Sequence, residues 1–171
     1  LNAKFTFEEA FQDLNALISQ YNLRKVNLIG HSFGGIVSTL YSKKFPEKVS
    51  SLILVGALFS QQESYNHILD SCAAMARQSG DKDILLKIEQ IHQLDTASAD
   101  YRKKTYEVAS HFNFFQMPKP TVEAKQLEEA YKNSIFSETN IRNDDAPRLF
   151  YQNEKQVNIG TKNILRDLKQ H

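Results

Sequence analysis

Apolar residues recur at helical spacing from the start of the chain. Phe7, Ala10, Phe11, Leu14, Leu17, Ile18 and Tyr21 fall on one face and predict an amphipathic helix buried on one side. Thr6-Phe7-Glu8-Glu9 fits a capping box, with Thr6 as the N-cap and Glu9 reaching back to it, and Asn22 fits the helix end. The period then changes. Lys25 to Ile29 reads as a short strand, and a glycine-rich turn, Gly30-His31-Ser32-Phe33-Gly34-Gly35, separates it from a helical pattern carried by Ile36, Val37, Leu40 and Tyr41. Pro46 ends that helix near Lys44, because the residue before a proline is pushed toward extended geometry. Val49 to Val55 is a second strand. Its continuous apolar run, Leu52 to Val55, predicts that both sheet faces are covered, as in a parallel sheet. Strand, helix and strand in so short a span make one βαβ unit.

After Gly56 the character is helical, and no strand is expected from Ser60 onward. Tyr65, Ile68, Leu69, Cys72, Met75 and Ala76 form one stripe, broken by Gly80. Ile84, Leu85, Ile88 and Ile91 form a second. Tyr101 to Phe115 predicts a third helix, and Val122, Leu127, Ala130, Tyr131 and Ile135 a fourth. Short helices are expected over Pro147 to Tyr151 and Asn163 to Lys169, with a polar loop over Ser137 to Asp145. The fold class is therefore α/β: a partial sheet unit over residues 1–57, followed by an all-helical region over residues 58–171.

Composition narrows the function classes. The 171 residues carry a net charge of +1 with both signs mixed, so neither a nucleic-acid groove nor a membrane-binding face is expected. No apolar run approaches a membrane span. One cysteine, Cys72, leaves no internal disulfide, which is compatible with a reducing compartment and a cytoplasmic location. No cofactor is expected.

The glycine-rich turn is the candidate for chemistry. A serine at the apex of a strained strand-to-helix turn, with φ above zero, has its hydroxyl standing clear of the sheet. Gly30 and Gly34 would supply the missing Cβ atoms that such a turn needs, and Gly35 would let the new helix lie close to the strands. The Phe33 N–H opens the helix without an intrahelical partner, so it could donate to a developing oxyanion, helped by the helix dipole.

Helix, short strand, Gly30-His31-Ser32-Phe33-Gly34-Gly35, helix, Phe45-Pro46-Glu47-Lys48-Val49, then Leu52 to Ala57 resembles the α/β-hydrolase fold superfamily, best over Phe5 to Ala57. Several helices after the second strand resemble the cap of its esterase-like and proline-iminopeptidase-like members. The resemblance implies a serine hydrolase acting on an ester, a thioester or a small amide through an acyl-enzyme on Ser32, with the Phe33 N–H in the oxyanion hole. It also implies a larger sheet. The early strands and a second oxyanion donor would lie ahead of Leu1. The family order of serine, acid, histidine would place the acid and the histidine beyond His171, so the chain is expected to be a piece carrying the serine turn and the cap. Some members place the acid directly after the second strand, but Gly56, Ala57, Leu58 and Phe59 offer no carboxylate. Serine rather than aspartate argues against dehalogenase and epoxide-hydrolase chemistry.

The other candidates favour structural roles. His31 is expected to pack behind the turn. His67 with Asp70, and His92 with Asp95, share helix faces at i, i+3 and read as solvated pairs; with no ligand spacing in sight, no metal site is expected. His171 is terminal and is expected to fray. His111-Phe112-Asn113-Phe114-Phe115 reads as cap core before pocket lining, the charged run Lys119 to Lys132 as a solvated helix face, and Cys72 as a buried, inert thiol. Two alternatives stay open beside the hydrolase: a non-catalytic binding or structural piece on the same scaffold, and a lyase or cofactor-free oxygenase. Exposed strand edges or core faces would also favour self-association.

Overall fold

The computed structural model describes residues 3–114, 122–135, 137, 145–154 and 158–168. The expectations for Phe115, Met117 to Pro120, most of the Ser137 to Asp145 loop and His171 lie outside them.

Helix α1 (Phe7–Gln20) begins at the predicted cap, where Thr6 Oγ1 accepts from the Glu9 N–H at 3.2 Å. The return bond differs from the expected box. Phe5 adopts φ 47° and curls the chain, so the Glu9 carboxylate accepts from the N–H groups of Lys4 (2.9 Å) and Phe5 (2.6 Å). Asn22, at φ 50°, turns the chain out of α1. Strand β1 (Val26–His31) continues past the predicted end at Ile29. Its neighbour keeps pairing, with Gly30 opposite Leu54 and His31 opposite Val55. Helix α2 (Phe33–Lys44) stops at Phe45, a 3-10 turn follows over Pro46–Lys48, and β2 (Val49–Val55) returns parallel to β1.

One face of this sheet is covered, not two as the apolar run predicted. Val26 and Leu28 pack with Phe7, Phe11, Ile36 and Tyr41 into one core beneath α1 and α2. The other face pairs Ile29 with Ile53 and His31 with Val55, and it is open: Ile29 is 69% and Ile53 50% exposed. The later helices bury their apolar stripes on one another instead of on this face. His31 is therefore exposed on the open face, where packing behind the turn was expected. A bare apolar face beside unpaired strand edges favours association of copies. Light scattering at micromolar concentration is expected to show concentration-dependent oligomers, and Ile29→Lys with Ile53→Lys to return the monomer; a monomeric parent chain counts against this.

Three helices form the second core: α3 (Gln61–Ser79), α4 (Lys82–His92) and α5 (Ala99–His111). Each opens on a side-chain cap, as Ser60, Asp81 and Ser98 accept from the N–H groups of Glu63, Ile84 and Tyr101. The Ser98 cap starts α5 two residues ahead of prediction. Gly80, at φ 75°, ends α3 in the left-handed region as its position predicted. Leu69, Cys72, Ile88, Ile91 and Val108 fill the interior, each fully buried aliphatic side chain contributing about 1.5–3 kcal/mol. Helices α6 (Val122–Lys132), α7 (Ala146–Asn153) and α8 (Lys162–Asp167) complete the described elements. The only pairing beyond β2 among the described residues is an isolated antiparallel bridge of Ser60 with Gly160.

Helix α7 ties the two cores together. Phe150 meets the rings of Phe7 and Phe33 edge-on, at 5.1 and 5.0 Å, while the next residue, Tyr151, brings its hydroxyl 3.2 Å from that of Tyr65 on α3. At the base of α7, Glu154 Oε2 accepts from the Phe7 N–H and Asn153 Nδ2 donates to the Lys4 carbonyl. The space between the cores remains open as a cavity. Among the described residues no helix is long and apolar enough to cross a membrane.

Candidate functional site

Ser32 is the hinge between β1 and α2. Its backbone has φ 51° and ψ −122°, the strained conformation that its place in the turn predicts. A non-glycine residue held there costs on the order of 1–3 kcal/mol, so neighbouring bonds must enforce it. They do so from both sides. The Ser32 N–H donates to the Val55 carbonyl at 3.1 Å, and the Ser32 carbonyl accepts from the N–H groups of Gly35 (3.0 Å) and Leu58 (3.3 Å). The end of β2 and the start of the following loop therefore clamp the turn. The side chain takes no part: its hydroxyl caps nothing in α2 and makes no hydrogen bond among the described residues.

The glycines divide differently from the expectation. A Cβ on Gly30 would lie 2.7 Å from Gly35 Cα and 2.8 Å from the Gly34 carbonyl oxygen, both backbone atoms. A Cβ on Gly35 would lie 2.3 Å from Ala57 Cβ, so this glycine lets α2 sit against the end of β2. A Cβ on Gly34 would meet nothing within 4 Å. Gly34 is not needed for clearance, because its position on the first turn of α2 faces away from the strand end.

The Phe33 N–H is the first of α2 and has no acceptor among the described residues. The positive end of the helix dipole lies there, next to the uncommitted Ser32 hydroxyl. The Phe33 ring stacks on Phe7 at 5.9 Å and holds this end of the helix in the aromatic core.

Ser32 opens into a cavity of about 800 Å³ between the two cores. Phe5, Phe7, Phe33, Val37, Leu58 and Phe150 give it an apolar wall. The facing wall, from α3, α5 and α7, is polar. Gln61, itself buried, donates through Nε2 to the hydroxyls of Tyr65 (2.8 Å) and Tyr151, and the Arg102 guanidinium lies 5.1 Å from the ring of Tyr106 and 5.8 Å from that of Tyr151. Burial, reinforced by the neighbouring Tyr65, raises the phenol pKa of both Tyr106 and Tyr151, so these groups stay protonated and can donate. Glu9 and Asp13 line the side nearest α1.

Among the described residues no histidine lines this cavity. His31 is next to Ser32 in sequence but on the exposed sheet face. His67 and His92 are exposed on α3 and α4, and His111 contacts Asp81 at 3.2 Å on the surface. Among the described residues no group of three His, Cys, Asp or Glu could hold a metal ion. Cys72 is fully buried in the helical core, and burial raises its thiol pKa. Phe112 packs on that same core while Phe114 is exposed, and neither borders the cavity. The polar wall is what sequence reading missed. Its signal was the one-turn spacing of Gln61 with Tyr65 and of Arg102 with Tyr106, obscured because both pairs sit inside ordinary amphipathic stripes.

The profile of the alpha/beta hydrolase fold family matches residues 2–81. Three curated proteins are similar over shorter stretches. The abhydrolase domain-containing protein abhd-5.2 of Caenorhabditis elegans is 58% identical over 33 residues, 19% of this chain and 7% of that protein. The 1-acylglycerol-3-phosphate O-acyltransferase ICT1 of Saccharomyces cerevisiae is 47% identical over 36 residues, 21% of this chain and 9% of that protein. Ethanol acetyltransferase 1 of Eremothecium cymbalariae is 39% identical over 51 residues, 30% of this chain and 14% of that protein. The similarity thus spans a small part of each relative's own length. No solved structure matches significantly.

Proposed function

The chain belongs to the α/β-hydrolase superfamily, and from that premise we propose that it carries the serine turn of an acyl-transferring enzyme. One observation carries the reading: Ser32 is held at φ 51° with its hydroxyl unbonded on the wall of a cavity, beside the unpartnered Phe33 N–H. A structural serine in a strained turn would use its hydroxyl to cap the helix it opens, and this one does not.

In this reading Ser32 Oγ attacks the acyl carbon of an ester, thioester or small amide. The carbonyl oxygen becomes an oxyanion facing the Phe33 N–H, and the tetrahedral intermediate collapses with loss of the alcohol, thiol or amine, which takes up the proton released by the hydroxyl. A histidine that the described cavity lining does not supply, oriented by a carboxylate, carries that proton. An acceptor then attacks the acyl-enzyme and takes the acyl group. Water gives hydrolysis; an alcohol gives transfer. Two of the relatives are named as acyltransferases, which supports an alcohol as a second acceptor. Residues 58–171 act as the cap over the core of residues 1–57, shaping the pocket and excluding water.

The test is to trap the intermediate in the complete gene product. Incubation with p-nitrophenyl octanoate and acid quench is expected to leave one octanoyl mass increment on the peptide holding Ser32. Added ethanol is expected to divert part of the product from octanoate to ethyl octanoate. A protein that turns over no ester and shows no acylated Ser32 peptide supports the second reading, a non-catalytic binding piece on the same scaffold.

A further inference from the structure

We propose that the polar wall of the cavity is a subsite for an anionic head group, a phosphate or a carboxylate, on the molecule whose acyl chain is handled at Ser32. Arg102 is half-buried at the cavity and has no carboxylate within ion-pair distance among the described residues. An unpaired guanidinium drawn partly out of water is costly unless a ligand completes it, and its planar fork suits a carboxylate or phosphate. The rings of Tyr106 and Tyr151 hold it in place.

Gln61 Nε2 donates to the hydroxyls of Tyr65 and Tyr151, which lie 3.2 Å apart. Burial keeps the Tyr106 and Tyr151 phenols protonated. Gln61 Oε1 is buried with no hydrogen-bond partner among the described residues, so this corner also holds an unsatisfied acceptor, and Arg102 is the group in it that calls for an anion. The carboxylates that face the cavity, Glu9 and Asp13, are on the α1 side, and Glu9 is occupied by the Lys4 and Phe5 amides. The cavity is thus electrically polarised. An amphiphile would place its anion against α5 and run its chain along Phe7, Phe33 and Phe150 toward Ser32.

The orientation of the chain rests on the acyl-transfer reading; the anion site itself does not. Binding of octyl phosphate, octanoate and octyl glucoside to the complete protein is measured by calorimetry below their micelle concentrations. The anions are expected to bind about tenfold or more tightly than the glucoside, and less tightly at high salt, as a charge-assisted bond predicts. Arg102→Gln is expected to remove that preference, and Arg102→Lys to restore part of it. Which of the two anions binds tighter assigns the head group as phosphate or carboxylate, and equal binding makes it a general anion site. Equal affinity of the parent protein for glucoside and anions overturns the proposal, whether or not the variant folds. Fluorophosphonate labelling of Ser32, read in the same preparation, separates loss of the anion site from failure of the acyl-transfer reading.

Discussion

Ser32→Ala is expected to lower ester turnover by about 10⁴- to 10⁶-fold while leaving the melting temperature near that of the parent. The two halves of this outcome have different origins. Turnover falls because the other candidate groups among the described residues are committed: Thr6 Oγ1 caps α1, Cys72 is sealed in the helical core, and the wall tyrosines carry strongly bound protons. Stability is kept because the Ser32 side chain makes no hydrogen bond; the clamp on the turn runs through its backbone N–H and carbonyl, which alanine retains. Progress curves with p-nitrophenyl octanoate, read beside thermal melts, check both. A large drop in melting temperature together with modest loss of turnover would mean that the hydroxyl is structural, against its unbonded state here. Ser32→Cys keeps a nucleophile at the same point and is expected to retain acylation by thioesters better than by amides, since a thiolate is expelled more readily than an amine from the intermediate.

The parts of this fold written in local pattern were legible. The period of Phe7, Phe11, Leu14 and Ile18 placed α1, the Leu52 to Val55 run placed β2, and Gly80 and Pro46 ended helices where backbone geometry requires it. What failed depended on partners far along the chain. The Leu52 to Val55 run read as covered on both faces because hydrophobicity records what a strand could bury, not which helices return to cover it; Ile53 is half exposed. The Glu9 carboxylate serves Lys4 and Phe5 because of a positive φ at Phe5, a residue type that gives no warning of it. At the site, the Ser32 turn was legible because strand, glycines and helix are contiguous. The facing wall was not, since Gln61, Arg102 and Tyr151 come from three separate helices and meet only through tertiary packing. Gly34 shows the limit of motif reading: its place in the pattern implied crowding, and the structure gives it open space.

Gly30→Ala is expected to be among the most destabilising single changes in the β1–α2–β2 unit, by about 3 kcal/mol, and to resist rescue. Its new methyl would sit 2.7 Å from Gly35 Cα and 2.8 Å from the Gly34 oxygen, and neither backbone atom can move without opening the Ser32 turn. Gly35→Ala creates a clash of similar size by a different route, against the side-chain methyl of Ala57 at 2.3 Å. That difference is testable as a double-mutant cycle. Removing the opposing methyl with Ala57→Gly leaves Ala57 Cα, 3.2 Å away, as the nearest atom, so the Gly35→Ala, Ala57→Gly pair is expected to recover most of the lost stability. The same Ala57→Gly change should do nothing for Gly30→Ala, whose obstacle is backbone. Gly34→Ala serves as the internal control and is expected to be neutral or slightly stabilising, since open space surrounds it and alanine favours the helix by about 1 kcal/mol over glycine. Urea unfolding of the four single and two double variants measures the ordering. Equal tolerance of alanine at positions 30, 34 and 35 would mean that the chain does not make the close approach of α2 to the strand ends on which the strained serine depends.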